Sequence, residues 1–238
     1  MSALVARLLW WHRELAIEVQ RFVLLWRYQH QGEAGGVRVV TLGWRLAIKQ
    51  VVDVIGAAIG LVVTAPVLVA AAAAVKVTSR GAVIYRQERV GHFGEPFMMY
   101  KFRTMRVDAE ADGPKWWAGE DDPRMTRVGA FLRRTHIDEL PQLWNVLKGE
   151  MSLVGPRPER PHFVEQLNQA IHRYDDRLLV KPGVTGLAQV HYRYDQSVAD
   201  VRRKLRFDQL YVRRLCLALD ARILAWTLMV VITGRGIR

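Results

Sequence analysis

The chain is organised around residues 135 to 158, which read THIDELPQLWNVLKGEMSLVGPRP. Two adjacent acids, Asp138 and Glu139, stand at a predicted helix start, because Pro141 is tolerated in a first helical turn and an apolar stripe follows it. A helix start offers backbone N–H groups and the positive end of the helix dipole, which attract phosphate. The stretch is therefore the best candidate in the chain for chemistry.

The same stretch ends in Gly155-Pro156-Arg157-Pro158. Two prolines around one arginine fix the backbone, so the guanidinium has little entropy left to lose, and Arg suits bidentate phosphate binding. Acids, a helix N-terminus and a rigid Arg together indicate phosphoryl transfer. A structural interpretation stays open beside it. The acids could serve as a helix cap or dipole partner, with Thr135-x-x-Asp138 as a capping box, and the Arg could be a solvated loop residue.

Composition favours a membrane surface. The 238 residues carry 35 Lys plus Arg against 23 Asp plus Glu, a net charge of +12, and half of them are hydrophobic. Basic clusters beside long apolar runs fit anionic lipid and phosphorylated substrates better than nucleic acid, and the sequence has no nucleic-acid-binding signature. The single cysteine, Cys216, allows no intrachain disulfide and is consistent with a cytosol-facing location.

Residues 1–36 are expected to form an amphipathic extension and a linker. Charged residues share one helical face between positions 7 and 21, and tryptophans at positions 10, 11 and 26 favour the lipid headgroup region. A helix lying in the membrane interface and an ordinary helix packed on the domain are both compatible with this pattern. Glycines at positions 32, 35 and 36 mark the linker.

Residues 37–80 are expected to enter the membrane. No charged residue occurs from Val54 to Val75, a run just long enough to cross a bilayer as one helix. However, Pro66 lies at the midpoint, and positive charge flanks both ends of the run. A helix-break-helix hairpin that dips into one leaflet satisfies both features, and a plain span is the alternative.

Residues 81–238 are expected to form a cytosolic α/β domain that is mostly helical. Strands are predicted at 83–85 and 97–102, helices at 125–134, 165–179 and 200–211, and a turn at 181–186 before a strand at 187–190. A C-terminal helix at 215–233 is expected to be interfacial or part of the core, since Asp220 and Arg222 are costly in a bilayer centre. Lys101 and Arg103 present two cations, either for phosphate or at a solvated strand edge.

From about Trp44 to Gly236 the chain resembles the bacterial sugar transferase family, the monotopic polyprenyl-phosphate phosphoglycosyl transferases. Seven segments carry the resemblance in family order. They are the apolar hairpin with its proline, YRQERVG (85–91), KFRTM (101–105), DPR-x-T-x-x-G-x-x-LRR (122–134), DELPQL through GPRP (138–158), residues 181–190, and the C-terminal segment around Asp220.

The resemblance implies a two-step reaction at the membrane. Asp138 would attack the sugar-linked phosphate of a UDP-sugar, release UMP and form an aspartyl-phosphosugar intermediate, which undecaprenyl or another polyprenyl phosphate then accepts. Glu139 would hold Mg²⁺. Arg157 matches the family's phosphate-binding position. The further expected phosphate-binding cations are Lys101, Arg103, Arg133 and Arg193.

The resemblance also implies a place and partners. The re-entrant hairpin would hold the active site at the cytosolic face of the bacterial inner membrane, in contact with membrane lipids, for the first membrane step of polysaccharide or glycoconjugate synthesis. A homodimer is a further expectation, and no nucleic-acid partner is expected. The sugar donor is not identified by the residues, since those that can be interpreted bind diphosphate rather than sugar hydroxyls.

Two departures from the family pattern matter. Ala65 precedes Pro66 where the family usually has Ser, and Tyr192 stands where a Gly is usual, before Arg193. Two rival interpretations stay open. One is direct displacement, with Asp138 or Glu139 as a general base toward the lipid phosphate, and the other is a catalytically degenerate membrane scaffold.

Overall fold

The structure is a computed structural model that describes residues 43–110, 122–192 and 197–233. The predicted extension of residues 1–36, the first six residues of the predicted membrane segment and Arg193 lie outside these ranges. Within them, the fold is mostly helical with two small two-stranded sheets, so the α/β class with mainly helical content is confirmed.

The described residues form seven α-helices, four β-strands and three short 3₁₀ helices. The helices are α1 (Gly43–Thr78), α2 (Arg127–Arg134), α3 (Gln142–Leu147), α4 (Pro161–Ala170), α5 (Leu187–His191), α6 (Val198–Arg214) and α7 (Leu217–Thr233). The strands are β1 (Ile84–Val90), β2 (Pro96–Phe102), β3 (Ser152–Val154) and β4 (Gly183–Thr185). Short 3₁₀ helices lie at His92–Gly94, Ile137–Glu139 and Tyr174–Leu179.

Strands β1 and β2, which include most of the residues predicted as strands at 83–85 and 97–102, form an antiparallel hairpin. The register runs from Ile84 opposite Phe102 to Val90 opposite Pro96. The turn is possible because Gly94 has a positive φ of 84°, which glycine adopts without steric cost. In this register Tyr85 lies opposite Lys101, so the pairing puts a phenol and an ammonium on one part of the sheet.

Strands β3 and β4 form a short parallel pair that places two loops side by side. Ser152 pairs with Gly183 and Val154 with Thr185, and α4 lies in the connection between them. A Cβ on Gly183 would lie 2.0 Å from the backbone nitrogen of Gly155, so this close approach requires glycine. The prediction of a turn at 181–186 followed by a strand is wrong. The strand lies inside the predicted turn and residues 187–191 are helical, because three-residue strands show no alternation that a sequence pattern could reveal.

The helix predicted for residues 165–179 is also two separate pieces. Helix α4 ends at Ala170, and the chain resumes as a 3₁₀ helix at Tyr174. Between them Arg173 has a left-handed φ of 60°, which no continuous helix accommodates. By contrast, the predicted helices at 125–134, 200–211 and 215–233 are confirmed as α2, α6 and α7.

Helix α1 differs from the predicted hairpin, because it continues through Pro66 as one helix of 36 residues. The predicted break at Pro66 is therefore wrong. A proline removes a single hydrogen bond, and Ala65 before it is the best helix former. Thr64 Oγ1 donates to Gly60 O at 2.7 Å, inside its own helical turn. Packing on both sides of Pro66 also holds the helix, with Ala57 in one apolar cluster and Val75 in another.

By length and composition, α1 is the one helix among the described residues that could cross a membrane. Its buried stripe contacts the domain while the rest of its surface is apolar and exposed, for example Val62 and Val69. This pattern supports a membrane-associated helix that also packs on its own domain.

A buried polar network fixes the start of α1. Lys49 Nζ lies 2.8 Å from Asp220 Oδ2 on α7 and 3.3 Å from Asp53 Oδ2. Asp53 in turn accepts from Ser152 Oγ at 2.7 Å, and Tyr211 OH lies 2.8 Å from Asp220 Oδ1. Asp220 was expected to be costly in a bilayer centre. It is instead a buried member of a network that joins α1, β3, α6 and α7.

Helix α7 is partly core and partly exposed. Ile223 is fully buried in the main core with Leu167 of α4 and Tyr211 of α6. Its other face exposes large apolar side chains, among them Leu228 and Ile232. The helix therefore has one face toward the domain and one apolar face toward its surroundings.

Candidate active site

Asp138 lies in a short turn between α2 and α3. Thr135 ends α2 by donating its hydroxyl to Phe131 O at 2.9 Å, so the proposed capping box with Asp138 is not formed. His136 then takes a left-handed φ of 57°, and Ile137–Glu139 form one 3₁₀ turn before Pro141 caps α3. The acids were predicted in the first turn of the helix but precede it. The carboxylate of Asp138 is buried and lines a cavity.

The backbone of the Gly-Pro-Arg-Pro loop is held at four successive carbonyls. Gly183 N donates to Pro156 O and Val90 N to Glu159 O, both at 2.9 Å. Arginine side chains serve the two carbonyls between: Arg177 Nη2 donates to Arg157 O at 2.8 Å and Arg89 Nη1 to Pro158 O at 3.0 Å. These bonds fix the direction in which the Arg157 side chain leaves the loop.

Arg157 meets the acids. Its Nη2 donates to Glu139 Oε1 at 2.6 Å, so the two ends of the 135–158 stretch come together as predicted. Burial would raise the pKa of Glu139, but the Arg157 guanidinium outweighs burial and holds that pKa below its usual range. Glu139 in turn raises the pKa of Arg157. Both groups are therefore charged, and Arg157 stays exposed to the cavity.

Asp138 experiences a different environment from its neighbour. Burial first, and the charge of Glu139 second, raise the pKa of Asp138 to about 7. Lys101, Arg157 and Arg133 act in the opposite sense, toward the ionised form. A carboxylate that is poorly solvated and surrounded by cations is suited to act as a nucleophile toward an anionic substrate once it is ionised.

Lys101 reaches the same cavity from β2. Burial and the charges of Arg89 and Arg157 lower its pKa to about 8, while Asp138 and Glu139 raise it. Its Nζ lies 5.2 Å from the centre of the Tyr85 ring, a cation–π distance. The interpretation of Lys101 as a site cation rather than a solvated strand edge is therefore supported by its position.

The other predicted cations have different placements. Arg133 lines the cavity close enough to Asp138 to affect its pKa. Arg103 also borders the cavity, but its Nη2 donates to Ser79 O at 2.9 Å and Ser79 Oγ at 2.7 Å, at the end of α1. Its phosphate-binding role stays a prediction, as does that of Arg193, which lies outside the described residues.

Sequence reasoning missed a polar cluster beside the acids. Arg160 binds Glu110 with two hydrogen bonds of 3.1 and 2.8 Å, and Tyr85 OH donates to the same carboxylate at 3.3 Å. Arg89 Nη2 donates to Gln87 Oε1 at 2.6 Å. Tyr85, Gln87 and Arg89 alternate along β1 and so share one face, a period-two signal that was available in the sequence.

These groups line one cavity of about 1250 Å³. Its polar part contains the acids, Lys101, Arg157 and the Arg160–Glu110 pair. Another part runs between α1 and α7 along apolar side chains, including Val67 and Val231. One continuous cavity thus joins a charged region suited to a diphosphate with an apolar region beside α1.

The residues fit a magnesium ion that is shared with substrate. No group of three or more His, Cys, Asp or Glu side chains that could hold a metal occurs within residues 43–110, 122–192 and 197–233. Mg²⁺ does not need such a group, because it commonly uses one or two carboxylates, waters and substrate phosphates. Glu139 and Asp138 supply hard oxygen donors of that kind.

Comparison with known proteins decides the family. The model of the bacterial sugar transferase family matches residues 44–234. The chain belongs to the bacterial sugar transferase family. Within that family, a relative from Bacillus subtilis (strain 168) is 48% identical over 157 residues, which are 66% of this chain and 83% of the relative.

Two further relatives have names that state an activity. The UDP-N-acetylgalactosamine-undecaprenyl-phosphate N-acetylgalactosaminephosphotransferase of Aeromonas hydrophila is 41% identical over 191 residues, 80% of this chain and 45% of the relative. The UDP-glucose:undecaprenyl-phosphate glucose-1-phosphate transferase of Escherichia coli (strain K12) is 42% identical over 203 residues, 82% of this chain and 44% of the relative. This sugar transferase thus spans under half the length of these two relatives.

Proposed function

We propose that this sugar transferase moves a sugar 1-phosphate from a UDP-sugar to undecaprenyl or another polyprenyl phosphate and releases UMP. The observation that carries the proposal is one cavity that joins Asp138, Glu139, Arg157 and Lys101 to an apolar passage beside α1. A soluble diphosphate fits the charged part and a lipid phosphate can reach it from the apolar part. The names of the Aeromonas and Escherichia relatives support the same reaction class.

In the first step, an Asp138 oxygen attacks the phosphorus that carries the sugar. A new P–O bond to the aspartate forms as the bond from that phosphorus to the bridging oxygen breaks, and its electron pair leaves on UMP. Arg157 and Lys101 would neutralise the charge on the phosphoryl oxygens, where positioning and electrostatics supply most of the catalysis.

In the second step, a phosphate oxygen of the lipid attacks the same phosphorus. The acyl-phosphate P–O bond breaks, its electron pair returns to Asp138 as a carboxylate, and a lipid diphosphate sugar is formed. Because both steps use one phosphorus and one carboxylate, the donor and the acceptor react in turn.

We also propose Glu139 as the protein ligand of Mg²⁺. When bound, the ion would offset the charge of the diphosphate oxygens. The Arg157 contact keeps Glu139 ionised and so available as a ligand. EDTA is expected to abolish UMP release, and Mg²⁺ in excess is expected to restore it.

The proposed placement is monotopic, at the cytosolic face of the bacterial inner membrane. Both ends of α1 are attached to the same domain, through Lys49 to Asp220 near its start and through Ser79 to Arg103 at its end. This double attachment supports a placement in which both ends of α1 lie at the same membrane face. The exposed apolar face of α7 would then contact membrane lipids, and a homodimer stays a hypothesis.

The proposal is tested by measuring UMP release from a panel of UDP-sugars by detergent-solubilised protein with Mg²⁺ and undecaprenyl phosphate. The panel includes UDP-glucose and UDP-N-acetylgalactosamine, since the relatives' names differ in the sugar. UMP from at least one donor, lost in Asp138→Asn and kept in the exposed control Asp108→Asn, is expected. UDP as the product would contradict phosphosugar transfer, and absence of any nucleotide product would favour the scaffold alternative.

A further inference from the structure

The passage between α1 and α7 has walls from four parts of the chain. Eight uncharged residues line it: Thr64 and Val67 of α1, Leu140 and Leu143 around the start of α3, Val184 of β4, and Thr227, Val230 and Val231 of α7. All of them line the same cavity as Asp138. The passage is therefore continuous with the candidate nucleophile.

Packing contacts show that these walls are neighbours. Leu143 and Leu140 share an apolar cluster with Val184 and with Leu61 of α1. On the other side, Thr185 Oγ1 lies 2.7 Å from Thr227 Oγ1 of α7. The strand residues 184 and 185 thus have α1 on one side and α7 on the other, and the two helices form a pair of walls around them.

Charge and polarity change along the passage. Its inner end has the cations of the site, Lys101, Arg133 and Arg157, which suit a phosphate. Its outer rim has Val67 and Val231, which are 42% and 41% exposed, next to the exposed apolar faces of both helices. A ligand that fits must have an anionic head and an apolar tail that continues outward.

We propose that this passage holds the first isoprene units of the polyprenyl phosphate acceptor, and this inference rests on the proposed function. The phosphate would lie at Asp138 and the chain would leave between Val67 and Val231 toward the bilayer. The volume supports two occupants, since about 1250 Å³ exceeds the roughly 300–1,000 Å³ of ordinary small-molecule pockets. The donor would occupy the polar part around Tyr85, Lys101 and Arg160.

The test compares matched pairs of variants on each wall. Val67→Asn and Val231→Asn place an amide inside the passage, while Val69→Asn and Ile232→Asn place one on the exposed surface of the same helices. All four variants replace an apolar residue on a helix with an exposed apolar face. The control positions are more exposed, so any loss of contact with membrane or detergent should affect the control variants at least as much as the passage variants. Two reactions are measured: the burst of UMP from UDP-sugar alone, and the transfer to undecaprenyl phosphate.

We expect the two passage variants to raise the KM for undecaprenyl phosphate roughly tenfold over their controls, because an amide in an apolar site lacks a partner. Their UMP burst without acceptor should match that of the controls. Equal acceptor KM values within each pair would overturn the inference, and so would a burst that falls as much as the transfer. If the parent protein releases no UMP from any donor, the proposed function fails and this inference fails with it.

Discussion

The protonation of Lys101 links the site to pH. Its pKa is lowered to about 8 by burial and by Arg89 and Arg157, so the side chain is a cation below pH 8 and neutral above it. If the cation binds phosphate, kcat/KM for UMP release should fall about tenfold per pH unit above pH 8. Lys101→Arg stays charged and should lose this alkaline limb.

A pH–rate profile of UMP release checks the role of Lys101. Lys148→Arg is the matched control, because Lys148 is paired with Glu150 outside the cavity lining. It should keep the alkaline limb of the parent protein. An unchanged limb in Lys101→Arg would assign the limb to another group.

Arg177 is expected to act on catalysis through Arg157. It is buried; its Nε donates to Asp208 Oδ2 at 3.0 Å, its Nη1 to Tyr174 OH at 2.6 Å and its Nη2 to Arg157 O at 2.8 Å. Arg177→Gln should lower kcat for UMP release about 10- to 100-fold, because a small displacement of the Arg157 guanidinium from the reacting phosphate slows the chemical step. In an Arg157→Ala background the same change should cost little.

This double-mutant cycle separates positioning from loss of stability. Tyr174→Phe removes one contact of Arg177 but keeps its bond to the Arg157 carbonyl, so its kcat should remain close to that of the parent. Thermal unfolding of each variant measures the structural cost. Additive effects of Arg177→Gln and Arg157→Ala would show that Arg177 does not work through Arg157.

The sequence identified the residues of the candidate site more readily than the residues that hold them in place. Asp138, Glu139 and Arg157 were identifiable because acids near a helix and an arginine between prolines have a local meaning. Arg177 and Arg89 were not, since their partners are backbone carbonyls that are 20 and 69 residues away in the chain. The carbonyls of Arg157 and Pro158 reach these arginines through the tertiary fold, with the β3–β4 pairing on one side of the loop and the bond from Val90 of β1 to Glu159 on the other.

Among the elements, the attachment of α1 depends on the buried network around Lys49. Lys49→Met would leave the carboxylates of Asp53 and Asp220 buried without their cation. Breaking a buried pair in this way costs about 3–5 kcal/mol, and we expect the lower end because Ser152 and Tyr211 still donate to these acids. Thermal unfolding in detergent should show a clearly lower Tm.

Lys76→Met is the control for this prediction, because Lys76 is an exposed cation on the same helix. Its Tm should change little. Equal Tm values for the two variants would mean that the network does not hold α1 to the domain.

Helices and strands were predicted correctly where an apolar pattern continued over many residues, and were missed where the element was too short to show a pattern. The β1–β2 hairpin and helices α2, α6 and α7 have clear apolar patterns, whereas β3 and β4 have three residues each. The break at Pro66 was the main error. Local chemistry favoured it, but tertiary packing of residues 57 and 75 keeps the chain helical across the proline.

For the whole molecule, the proposed monotopic placement predicts that both ends of α1 face the cytosol. In a Cys216→Ser background, cysteines are introduced at the exposed positions Arg45 and Arg80. A membrane-impermeant maleimide should label both in inside-out vesicles and neither in right-side-out vesicles. Labelling of one position from each side would instead show that α1 spans the bilayer.

The family could be expected from the order of seven segments along the chain, and the match over residues 44–234 confirms the family. The shape of the site could not be predicted from the sequence. One cavity that joins Lys101, Asp138, Arg157 and Val231 draws residues from β2, the 135–158 stretch and α7, and no sequence pattern measures such distances.

In the proposed reaction, Asp138 carries the phosphosugar between two half-reactions. This role of Asp138 is tested most directly by incubating the protein with a UDP-sugar labelled at the sugar-linked phosphate, without acceptor, then quenching and mapping the label by peptide analysis. Label is expected on the peptide that contains Asp138, and it should move to undecaprenyl phosphate when the lipid is added. Labelled lipid formed with both substrates present, but no labelled protein at any time, would contradict the covalent intermediate and favour direct displacement.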